Sequence, residues 1–120
     1  MTPSNTCVWF EIPVTDLDRA QAFYAALLDR DLARQDGGPN PIVAFTGMDD
    51  AGVSGHLYPG KPAATGTGAT IHLAAPDGLD KAADRIRAHG GTVVSDPIEI
   101  PAGRFFYATD PDGNSIGMFA

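Results

Sequence analysis

The sequence holds a single cysteine, Cys7, among 120 residues. One thiol forms no internal disulfide, and a reducing cytoplasm is the expected compartment. Cations are scarce as well. Eight Lys and Arg stand against fifteen Asp and Glu, for a formal net charge of −7. Nucleic acid binding needs clustered cations to displace counterions, and the eight are scattered, so no nucleic acid partner is expected. No apolar run approaches the roughly 20 residues of a membrane span, and an anionic bilayer surface would repel this chain. No membrane partner is expected. The opening MTPSNT lacks the basic start and apolar core of a secretory leader. No GxGxxG, P-loop, CxxC or HExxH pattern occurs, which removes nucleotide, zinc-finger and zincin readings.

What is present is a globular balance, with 43% hydrophobic and 19% charged residues. Gly (14) and Pro (10) gather in short clusters and so mark many turns. CVWFEIPVT reads as a strand through Val14. Thr15 is the expected N-cap of a helix over 16–29, whose Leu17, Ala20, Phe23, Tyr24 and Leu27 share one face. DGGPNP is then a turn, PIVAFTGM a strand, DDAG a tight turn and VSGHLY a strand. PGKPAATGTG has the composition of a linker.

The pattern then restarts. ATIHLAAP reads as a strand, and Leu79, Ala82, Ala83 and Ile86 predict a helix over 79–89, ended by Gly90 and Gly91. TVVSDPIEI, RFFYAT and SIGMFA read as strands, the last two joined by the turn DPDGN. At an offset of 62, Leu17 to Ala20 fall on Leu79 to Ala82, Phe45 on Tyr107, Asp50 on Asp112 and Gly55 on Gly117. The first strand needs 61, because Gly78 is inserted. This predicts one α+β domain over 1–120, built from two tandem βαβββ modules. Module one is 1–58, the linker 59–68 and module two 69–120, and about eight strands form a half-barrel cleft. Neither module alone buries enough surface to be stable, so the halves must pack together, with a ligand cleft between them.

This repeat resembles the vicinal oxygen chelate superfamily, which includes glyoxalase I, extradiol dioxygenases, fosfomycin-resistance enzymes and bleomycin-resistance proteins. FEIPVTDLDRAQAFYAALL, AHGGTVV and PAGRFFYATDPDGN carry the likeness, which covers nearly the whole chain. The resemblance implies a metal held by His, Glu or Gln side chains on the first and last strands of each module. The corresponding positions here are Trp9, Thr70 (or Ile71), Gly55 and Gly117. None of these residue types is a credible ligand, since glycine has no side chain and an indole nitrogen carries its proton. No metal and no other cofactor are expected. Homodimerisation is implied by the same resemblance.

Glu11 and His72 lie two residues beyond the lost first-strand positions and match one another at offset 61. Alternation puts each on the cleft face, where Glu11 is expected to be partly desolvated, with a raised pKa, facing His72. The two are candidates for a general base and its partner, or for gripping a polar ligand; a residual packing pair is the bland alternative. His56 is expected on the opposite face, His89 at a helix C-terminus, and Cys7 in apolar packing. Trp9, Glu11, Phe45, Thr70, His72 and Tyr107 are the expected ligand-binding residues, with Trp9 as a stacking wall. Arg104 is expected at the rim, and the carboxylates of DLDR, MDD and DPDG in caps and turns. The leading expectation is a metal-independent binding protein for a drug or metabolite. The alternatives are a lyase, isomerase or dioxygenase-type enzyme using Glu11 and His72, or a ligand-free structural dimer.

Overall fold

The computed structural model describes residues 5–46 and 52–120. Most of the expected DDAG turn lies outside them, including Asp50, matched above to Asp112. The first module runs β1 (Trp9–Val14), α1 (Leu17–Leu28), β2 (Ala33–Gln35), β3 (Ile42–Ala44) and β4 (Ser54–Pro59). Its sheet has the order β1-β4-β3-β2, with β1 parallel to β4. The second module runs β5 (Ile71–Ala74), α2 (Leu79–Ala88), β6 (Thr92–Val93), β7 (Ile98–Ile100), β8 (Gly103–Thr109) and β9 (Ser115–Phe119). Its order is β5-β9-β8-β6, with β7 also on β8 and β5 parallel to β9. Two βαβββ modules form an open, unclosed pair of sheets.

The expected strand TVVSDPIEI is broken in two. The amides of Val94 and Ser95 both donate to the carbonyl of Tyr107, and the Ser95 hydroxyl accepts from the Tyr107 amide. Two residues opposite one is a bulge, and it separates β6 from β7. β2 was not expected at all: its three residues, Ala33, Arg34 and Gln35, carry neither an apolar alternation nor a β-branched run.

Alternation sets the layers. In β1, Ile12 and Val14 are buried while Glu11 is exposed. On α1 the buried residues are Leu17, Ala20, Phe23, Tyr24 and Leu27, the face read from the helical spacing. Both modules contribute to one core, in which α1, α2 and the inward side chains of both sheets meet. Asp16, not Thr15, caps α1, its Oδ1 accepting from the Arg19 amide at 3.0 Å. Thr15 is held instead by the carboxylate of Asp112, through its amide and its hydroxyl, which ties the start of α1 to the second module.

The strand register corrects the repeat arithmetic. The helices keep the offset of 62, Leu17 to Leu79. Glu11 pairs with His56 and His72 pairs with Gly117, so β4 maps onto β9 at an offset of 61. Ala44 pairs with His56 and Tyr107 with Gly117, so β3 maps onto β8 at 63. The structural mate of Gly117 is therefore His56, not Gly55, and the mate of Tyr107 is Ala44, not Phe45. A change of one residue in a connection turns every side chain of the next strand to the other face.

Candidate functional site

The face of the first sheet turned away from α1 carries Trp9, Glu11, His56 and Tyr58. Gly55 points the other way: a Cβ built on it would meet the Phe10 ring and carbonyl, on the side where Phe10 stacks on Phe45. The expectation for His56 was reversed for the same reason, since it had been placed opposite the cleft by alternation from Gly55.

Three side chains on this face form a chain of hydrogen bonds. The Trp9 indole Nε1–H donates to His56 Nδ1 at 2.9 Å. His56 Nε2 lies 3.1 Å from Glu11 Oε1. An indole is only a donor, so Nδ1 must accept, and the neutral imidazole then carries its proton on Nε2 and donates it to the carboxylate. His56 is fixed as one tautomer with both nitrogens used. Glu11 pairs with His56 on the neighbouring strand and not with His72, as the parallel register of β1 and β4 dictates. Nor is its carboxylate desolvated, for its side chain is 63% exposed. Glu11, His56 and Tyr58 form one wall of a groove of about 390 Å³, whose other wall includes Gln35, Asn40 and Ile42.

On the second sheet, His72 lies over Gly117, where a Cβ would run into its ring. The imidazole packs edge-on against Phe105 and Tyr107, at centroid distances of 5.4 and 6.0 Å. The Thr70 hydroxyl shares a 2.6 Å hydrogen bond with Ser115. Phe45 is not on this face: it is buried against Phe10 and Tyr24, beneath α1. Trp9 and Glu11 thus come together with His56, while Thr70, His72 and Tyr107 stand on the other sheet. Cys7 is exposed, Arg104 sits near Glu99 on exposed strand residues, and His89 caps the C-terminus of α2. Sequence reading turns His56 away from this face. The signal that finds it is its opposition to Glu11 across paired strands.

With the βαβββ repeat and its cleft face in view, comparison with known proteins decides the family. The profile described as the Glyoxalase/Bleomycin resistance protein/Dioxygenase superfamily matches residues 6–118. The chain belongs to this superfamily. It is 33% identical over 114 residues to the protein named "Putative glyoxylase CFP32" in Mycobacterium bovis (strain ATCC BAA-935 / AF2122/97) and in Mycobacterium tuberculosis (strain CDC 1551 / Oshkosh). The match covers 92% of this chain and 42% of those proteins, so the chain spans less than half the length of these curated relatives. Among solved structures, it is similar to a glyoxalase/bleomycin resistance protein from Albidiferax ferrireducens T118, with a TM-score of 0.75, 23% identity and coverage of 96% and 98% of the two chains. It is also similar to TnmS3, an antibiotic binding protein from Streptomyces sp. CB03234, with a TM-score of 0.66, 27% identity and coverage of 99% and 98%.

The superfamily's metal implies a test of the donors at its four positions. By register these are Trp9 and His56 in the first module, and Thr70 and Gly117 in the second. They do not fit a metal. The His56 lone pair at Nδ1 is taken by the Trp9 N–H, the Thr70 hydroxyl is engaged by Ser115, and Gly117 offers nothing. Among the described residues, no three His, Cys, Asp or Glu side chains converge on one point. No helix there is long and apolar enough to cross a membrane.

Proposed function

We propose that this chain is a small-molecule-binding member of the superfamily that works without a metal, holding its ligand in the groove walled by Glu11, His56 and Tyr58. The observation that carries the reading is the Trp9–His56–Glu11 chain, which spends the imidazole's donor and acceptor inside the protein and leaves the carboxylate open to a ligand. The likeness to TnmS3, an antibiotic binding protein, supports it from a second side. Tyr58 supplies a ring against which a flat ligand can stack, and Trp9, which does not line the groove, is linked to it through His56. The reading includes a homodimer. The cleft-facing side of the second sheet presents His72, Phe105 and Tyr107, an apolar wall that a second copy can bring over the groove.

A second reading takes Glu11 as a proton acceptor in an enzyme, favoured by the 3.1 Å contact that lets His56 orient the carboxylate. One experiment weighs the proposal. Protein purified without chelator or affinity tag is dialysed, analysed for metals, and then titrated with a panel of flat drug-like and metabolite-like compounds while Trp9 emission is recorded. The proposal expects substoichiometric metal and saturable binding that weakens in Glu11→Gln. Stoichiometric zinc, nickel, manganese or iron that survives dialysis overturns it.

A further inference from the structure

A second groove, of about 620 Å³, lies at the seam between the modules and shares no lining residue with the first. Its apolar walls include Phe10 and Phe45 from module one and Ile71 and Leu73 from module two. Phe10 and Phe45 stack beneath α1 with centroids 5.3 Å apart. Ile71 and Leu73 stand opposite the buried Ile116 and Met118 in the β5–β9 register, so they face the helix layer as well. These apolar walls belong to the helix-bearing side of the sheets, while Thr70 and His72, from the other face of β5, also line the groove; Glu11 and Tyr58 do not.

Among the polar residues of the lining, which include Thr46, Thr70 and His72, one carries a fixed charge. Arg30, just past the end of α1, lines the groove, and no Asp or Glu does so among the described residues. In a chain with fifteen carboxylates and a net charge of −7, a groove lined among the described residues by a guanidinium and no carboxylate favours an anion. Ser54 also touches the groove, but its pairing with Trp9 puts its side chain on the Trp9 and His56 face of β4, so it gives the ligand no polar contact here.

We propose that the seam groove binds a small organic monocarboxylate with an apolar body, its carboxylate paired with Arg30 and its chain or ring lodged among Phe10, Phe45 and Leu73. The volume falls within the roughly 300–1,000 Å³ of ordinary small-molecule sites. Arg suits this role because its planar fork meets a carboxylate through two hydrogen bonds. The proposal stands apart from the reading of the Glu11 groove.

Calorimetric titration of the full chain with octanoate, octylamine and octanol tests it. Octanoate should bind saturably at one per chain, and the amine and alcohol about tenfold more weakly or not at all. Arg30→Ala should cost octanoate about tenfold in affinity, Arg30→Lys less, and Glu11→Gln nothing. Absence of saturable octanoate binding, equal binding of all three probes, or full affinity in Arg30→Ala overturns the proposal.

Discussion

Tyr24 of α1 donates its phenol to Asp110 of the second module at 2.7 Å, with both residues buried. Asp110 is 3% exposed, and its other oxygen accepts from the amides of Asp112 and Asn114, at 2.9 Å each. Asn114 in turn donates to Asp110 and to the carbonyl of Pro13 in β1. A carboxylate is tolerated there because its charge is met by donors on every side. The DPDGN turn is thus the clasp between the modules as well as a hairpin connection.

Tyr24→Phe removes one donor from a buried carboxylate and should cost about 1–3 kcal/mol in urea denaturation. Burial, then the charge and hydrogen bond of Asp110, then the charge of Asp112, push the Tyr24 phenol well above its ordinary value. Because the folded value lies above the unfolded one, the associated stability is fully present below about pH 10 and is lost as pH rises through the folded value. Wild type should therefore lose stability more steeply than Tyr24→Phe above about pH 10. Equal alkaline slopes for the two proteins would refute the linkage.

Much of this fold is legible because its signals are periodic. The α1 face, from Leu17 to Leu27, and the restart at Leu79 both follow from helical spacing, and both helices appear within a residue or two of expectation. The site was less legible because strand faces have period two, so one residue of error inverts everything on a strand. Offset arithmetic that fitted the helices placed Gly55 on Gly117 and turned His56 away from the cleft. Glu11 and Trp9 escaped this error, since they were read from the helix start on their own module. The Ser95 bulge and the polar strand β2 depend on pairing with distant residues, which no local pattern encodes.

Two alanine substitutions check the corrected register. A Cβ at Gly55 would lie 2.3 Å from the Phe10 carbonyl oxygen, which the β1–β4 ladder cannot move. Gly55→Ala should destabilise by about 1–3 kcal/mol or more. A Cβ at Gly117 meets the His72 ring, an exposed side chain that can rotate away. Gly117→Ala should cost clearly less than Gly55→Ala, while shifting the ring-current signals of Phe105 and Tyr107 in NMR spectra. The reverse order of stabilities would restore the pairing of the two glycines.

The dimer in the proposed function is checked by mass and by one substitution. Tyr107, Ile98 and Ile100 are exposed on the second sheet, more apolar side chain than an isolated module face usually leaves in water. Sedimentation equilibrium at micromolar concentration should give twice the chain mass, and Tyr107→Glu should shift it toward the single chain. A single-chain mass for wild type removes the dimer from the reading.

Trp9 is the one tryptophan of the chain, and its indole N–H is spent on His56, so its emission reports the state of the hydrogen-bonded chain. His56→Ala removes the acceptor of the indole N–H and should shift the Trp9 emission relative to wild type. Glu11→Gln keeps an acceptor oxygen for His56 Nε2, so the indole should stay in place and its emission close to that of wild type. At neutral pH, His56→Ala should leave the fold intact, because His56 stands on the open face of the sheet and outside the core, while it abolishes the fixed position of the indole. Identical emission in wild type and in His56→Ala would show that Trp9 answers to some other group and would break the link between this chain and the groove.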